Sequence, residues 1–208
     1  MPISSAVANL LAKSAQCDSV IANAHRNDAA GAPLFPASER EMITVAGFLN
    51  LFVAWEEFLE KAMCHFMVGT PTLSGRAPVR YVNPPDVEAA KRMLIGTNRY
   101  FDFANHDLVC KMADLYFQNG DPFNPHLRAI ITDLADIRIM RNASAHISST
   151  TQTALESLAQ RIFTVPRPAI TLYSMLTAVD PRSTNPSATV FAEARDKLLA
   201  TAQLIAQG

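Results

Sequence analysis

Between Met42 and Val68 the chain reads MITVAGFLNLFVAWEEFLEKAMCHFMV, without a proline and with apolar side chains over most of a helical circumference. A helix of that pattern has no broad polar side to give to water, so it needs packing partners almost all round. Its start is marked by Gly31-Ala32-Pro33 and Pro36, followed by Ser38 and, three residues on, Glu41, a capping-box spacing. The 208 residues suffice for one sizeable core and are too few for two ordinary domains. Apolar residues make up 49% of the chain and charged ones 18%, which suits helices packed on helices. The expectation is an all-α, single-domain helical bundle over residues 1–208, with about six to seven helices around this long central one.

One narrow stripe of the central helix is polar: Asn50, Glu57, Lys61 and His65 fall within about 80°. Glu57 and Lys61 form a favourable pair four residues apart. The stripe is either a solvated face or a source of counter-charge, with Glu57 reaching Arg138 or Arg141 and orienting its guanidinium.

Elsewhere, helices are expected over Ile3–His25, Asp86–Leu94 (stopped by Gly96), His106–Phe117, through Thr153–Phe163 with several possible caps from Ser148 to Thr151, over Thr171–Val179, and from Pro186 or Ser187 to Gln207. The proline-rich residues 69–85 read as loop. Tyr100, Phe101 and Phe103 read as packed core. Cys17, Cys64 and Cys110 lie apart among apolar neighbours, as buried free thiols in a reducing compartment do. No spacing suits a zinc site, so neither metal nor cofactor is expected. There is no basic leader with an unbroken apolar run, and the central apolar segment carries Asn50, Glu56 and Glu57; neither a signal peptide nor a membrane span is expected, and the location is expected to be cytoplasmic.

The chemistry concentrates in Asn124–Ser149, NPHLRAIITDLADIRIMRNASAHISS. Asn124 and Pro125 suit a helix start, and no Gly or Pro follows before Ser149. Leu127, Ile130, Ile131 and Leu134 share one side, with Thr132, Asp133 and Asp136 pointing away. Carried forward, the apolar arc meets Arg138, Arg141, Asn142 and His146 within roughly 140°. Such a cluster on an inward arc must find partners or bear desolvation. It fits cations at a helix C-terminus, a salt-bridged interface, a stripe twisted into solvent, or a site.

Arg141-Asn142-Ala143-Ser144-Ala145-His146 reads R-N-x-x-x-H near the end of a long helix and resembles the signature of the HEPN superfamily. The resemblance extends over about Glu39–Phe163, in the manner of RiboL-PSP-type HEPN domains, leaving 164–208 as a C-terminal helical extension. It implies an all-helical, metal-independent endoribonuclease with Arg141 and His146 catalytic and Asn142 supporting. It also implies a homodimer whose two motifs meet in a composite active site, and a role as toxin or anti-phage effector with an antitoxin or defence-system partner protein. In the toxin subgroup silenced by nucleotide transfer the motif continues H-x-Y; here Ser148 holds that place, so silencing through a tyrosine is not expected.

The residue types suit the reaction independently of the family. Histidine, with an ordinary pKa of about 6.5, can take or give the protons of 2′-OH attack. Arginine's planar fork matches phosphate oxygens and stays charged. Asn142 and His146, four apart, share a face, so the amide can fix the imidazole tautomer. The net charge of −1 counts against a strongly basic RNA surface, so any such surface must be local. Arg76, Arg80 and Tyr81 in the 69–85 loop, with Lys91, Arg92 and Arg99, are the candidate RNA contacts. The alternative to a nuclease is a non-catalytic helical dimer that binds a nucleotide or protein.

Overall fold

The computed structural model describes residues 2–145 and 148–208. The protein is all-helical, with no strand and nine α-helices among the described residues: α1 (Ile3–Ala24), α2 (Ala37–Met67), α3 (Val87–Ile95), α4 (His106–Tyr116), α5 (Phe123–Ala129), α6 (Ile131–Ala145), α7 (Ser149–Phe163), α8 (Leu172–Thr177) and α9 (Val190–Gln207). Two compact units emerge, one of Met1–Leu11, Ala54–Ala135 and Lys197–Gly208, the other of Ala12–Val53 and Asp136–Asp196.

In the first unit the second half of α2 supplies the largest side chains. Trp55, Phe58, Leu59, Met63, Phe66 and Met67 are all buried. Phe66 and Phe117 each meet the Phe123 ring, at centroid distances of 5.9 and 5.8 Å. The Trp55 indole N–H donates to His106 Nε2 at 3.0 Å, so the one polar atom of that ring is satisfied. His65, at 9% exposure, is buried; the expected solvated stripe holds for Asn50 and Glu57, which are exposed, and ends before His65.

In the second unit, α1 and the first half of α2 contribute Cys17, Ala24, Phe48, Leu51 and Phe52, and α6 to α9 contribute Ile137, Met140, Leu155, Leu158, Ile162, Met175 and Phe191. Thr44 is buried; its hydroxyl donates to the Arg40 carbonyl at 2.7 Å, which leaves it to accept from His25 Nε2 at 3.0 Å.

Several boundaries differ from expectation, α9 beginning at Val190 and not at Pro186 or Ser187. The single helix from Asn124 is broken: Ile130 has φ −121° and ψ 24°, ending α5 before α6 begins. Asn124 is not the cap but a buried residue inside α5 whose amide donates to Asp114 at 2.6 Å and to the Cys110 carbonyl at 3.2 Å. Binding those partners requires the amide to face inward, which a cap residue outside the helix does not do. Within α2, an 18-residue window reaches a mean hydropathy of 1.4, and 50% of it is buried inside the protein.

Candidate functional site

The site is built on the last turns of α6. Its buried arc is Leu134, Ile137 and Met140, and Arg141 continues that arc one turn past Ile137. Arg138, Arg141, Asn142 and Ser144 are all half-buried. The Arg141 guanidinium approaches the Asn142 amide oxygen at 3.5 Å, at the outer limit of a hydrogen bond. Its Nε is buried without a partner among the described residues. Ser144 Oγ donates to the Arg141 carbonyl at 2.6 Å, a side-chain bond back onto the preceding turn of its own helix. The geometry thus brings Arg141 and Asn142 together. His146 lies outside the described residues.

Ser148 has a structural task. It is the N-cap of α7: its hydroxyl accepts from Thr151 N–H at 3.2 Å, and Thr151 Oγ1 accepts from Ser148 N–H at 3.0 Å. This reciprocal capping box starts the helix at Ser149, with the cap inside the expected Ser148–Thr151 run.

Glu57 is exposed and bonds Lys61 at 3.2 Å in its own helix, the i,i+4 pair its spacing implies. In the 69–85 loop, Arg76 reaches Asp121 at 2.5 Å, and that carboxylate holds the guanidinium above its usual range. Arg80 is turned inward. Its guanidinium donates to the Met67 carbonyl at 3.1 Å and lies against Gly69, where a Cβ would strike it. Phosphate contact by Arg80 is therefore not offered by this conformation, because the group is spent on a helix C-terminal carbonyl. Tyr81 is 63% exposed, with its main-chain N–H on the Tyr116 carbonyl at 2.8 Å, so its ring is open to a partner. Lys91 pairs with Glu60 at 2.5 Å. All three cysteines are buried and free, and burial pushes the Cys64 thiol up to about 12. No cluster of His, Cys, Asp or Glu suited to a metal is present among the described residues.

Sequence reasoning missed an ion-pair network beside the motif. Asp136, expected to point away, is buried and meets Arg161 at 2.6 Å and Arg182 at 3.5 Å. Arg182 in turn grips buried Asp180 with two bonds, at 3.0 and 2.8 Å. The reason is the break at Ile130: α6 is a new helix whose buried arc centres on Ile137, and Asp136 sits about 100° from it, at the arc's edge. The spacing Asp180-Pro181-Arg182 offered the one sequence signal, a short turn that returns an arginine onto its own acid.

Comparison with known proteins returns no match among family models, curated proteins or solved structures.

Proposed function

We propose that this protein is a metal-independent endoribonuclease of the HEPN type. The observation that carries the reading is the end of α6, where the apolar arc hands over to a half-buried arginine whose Nε has no partner among the described residues. A guanidinium in that condition favours an anion that completes its fork. Arg141 holds the non-bridging oxygens of the scissile phosphate. His146 takes the 2′-OH proton, the 2′ oxygen attacks phosphorus, and the 5′ oxygen leaves with a proton from a second acid. One chain carries one such histidine, so the proposed two-fold dimer supplies the other from its second copy. Light scattering at micromolar concentration is expected to give twice the chain mass; a stable monomer removes the composite site.

The test is cleavage of single-stranded RNA in EDTA. His146→Ala and Arg141→Ala are each expected to reduce cutting by about a hundredfold or more while leaving helical circular dichroism and the dimer unchanged. The ends should be 2′,3′-cyclic phosphate and 5′-hydroxyl, read by mass spectrometry. Loss of melting temperature alone, with no RNA cut by the parent, rejects the enzyme.

A second reading, a non-catalytic dimer that binds a nucleotide or protein, is favoured by the internal partners of Arg76, Arg80 and Lys91. These leave less free basic surface than the sequence advertises. A role as toxin or defence effector, with an antitoxin or defence partner, belongs to the proposal through the HEPN resemblance.

A further inference from the structure

The geometry points to a nucleotide subsite away from Arg141: an open groove of about 670 Å³ along the α6–α7 pair that seats one unit of an RNA strand, its phosphate on Arg161 and Gln160. This inference rests on RNA being the ligand.

The groove has an apolar floor of Ile139, Ala154 and Leu158 and a polar wall that includes Gln160 and Arg161. Arg161 differs from an ordinary surface arginine. Its side chain is 55% exposed, yet one end is fixed at 2.6 Å on Asp136, a carboxylate only 8% exposed that Arg182 also approaches. A guanidinium has five N–H donors, so this anchor leaves most of the fork for a ligand while removing the entropy cost of positioning it. Gln160, the adjacent residue on α7, adds amide donors.

The wall hydroxyls are committed differently. Ser157 Oγ gives its proton to the Thr153 carbonyl at 2.9 Å, and Thr164 Oγ1 to the Phe163 carbonyl at 2.6 Å. Both therefore offer lone pairs, which suit a ribose hydroxyl or a base N–H and not a phosphate. Anion donors at Gln160 and Arg161, flanked along the chain by acceptors at Ser157 and Thr164 and joined by apolar lining, match a nucleotide better than a bare anion. The volume is within the usual range for a small-molecule site. From Asp136 to Asn142 along α6 is about 9 Å, so a strand held at the end of α6 can reach the groove.

The probe is a fluorescein-labelled hexamer of 2′-O-methyluridine, which cannot undergo internal attack, titrated against the full chain by anisotropy at several salt concentrations. Ala154→Phe fills the floor without touching Arg161, and Arg161→Gln removes the anchored cation. Each is expected to weaken binding about tenfold, and Arg161→Gln to lower the salt slope by about one. Uridine monophosphate should compete at concentrations where inorganic phosphate does not. Equal competition by phosphate, parental affinity in both folded variants, or no binding by the parent overturns the groove. If Arg161→Gln fails to fold, Ala154→Phe decides. Groove-dependent binding by a protein that cuts no RNA sinks the nuclease and keeps the groove; cutting by a protein whose groove variants bind normally does the reverse.

Discussion

At the scale of single residues, chemistry follows what each polar group is already bonded to. Arg80 and Arg141 are both candidate phosphate contacts in the sequence, one in a loop and one near a helix end. Arg80 is spent on the Met67 carbonyl, whereas Arg141 retains a buried Nε without a partner among the described residues. Gly69 makes the first arrangement possible. Its φ of +91° is in the region that disfavours side chains, and a Cβ there would collide with the Arg80 guanidinium. Gly69→Ala is therefore expected to destabilise the protein by about 1–3 kcal/mol, read as a lower urea midpoint. An unchanged midpoint would show that the Arg80 contact contributes nothing. None of this was legible beforehand, because a glycine after a long helix reads only as a stop signal. His25, Thr44 and Tyr173 also escaped notice: the imidazole stacks on the tyrosine ring at 6.0 Å while bonding the threonine hydroxyl, a meeting of residues far apart in the chain.

At the scale of elements, local signals worked where a cap is made by a side chain and failed where the chain kinks for tertiary reasons. Asp86 caps α3 and Gly96 ends it with φ 57°, both as their residue types imply. Thr171 likewise caps α8. The sequence from Asn124 reads as one unbroken helix because nothing at Ala129, Ile130 or Ile131 is a breaker by propensity. What separates α5 from α6 is packing, with Asn124 and Leu127 buried on one helix and Leu134 and Ile137 on the next. That break moved Asp136 from the expected outer face to a buried ion pair and hid the groove beside it. Arg141 still continues the buried arc of α6. For α7 the cap falls on Ser148, within the run from Ser148 to Thr151 that the sequence offers for it. Ser148→Ala is expected to cost about 0.5–2 kcal/mol, and Ser148→Asp to restore most of it, since aspartate caps as well. Equal losses in both variants, measured by thermal unfolding, would count against the cap.

At the scale of the whole molecule, a buried histidine, His65, and a half-buried one, His126, tie stability to pH. Burial lowers the pKa of His65, and burial also lowers that of His126 against the opposing pull of Asp121. The Thr70 hydroxyl is 3.5 Å from His65 Nδ1, too far to hold an added proton firmly. The sign follows from linkage. Above the unfolded value of about 6.5 both states are neutral at these rings, and the histidines have no effect. As pH falls below it the unfolded chain takes up protons that the folded one resists, so folding stability declines until the depressed folded values are reached. The urea midpoint is accordingly expected to fall between pH 7.5 and pH 5.5, and His65→Gln to flatten that fall, because glutamine does not titrate. Protein concentration must be held fixed across the series, since dimerisation of the kind proposed adds a concentration-dependent contribution that mass action would fold into the same midpoint. Repeating the pair of pH values at a tenfold lower concentration separates the two: a histidine effect keeps its pH difference, while a dimer effect shifts both midpoints together. If His65→Gln loses as much stability on acidification as the parent does, the decline belongs to other groups and the buried imidazole is not its source.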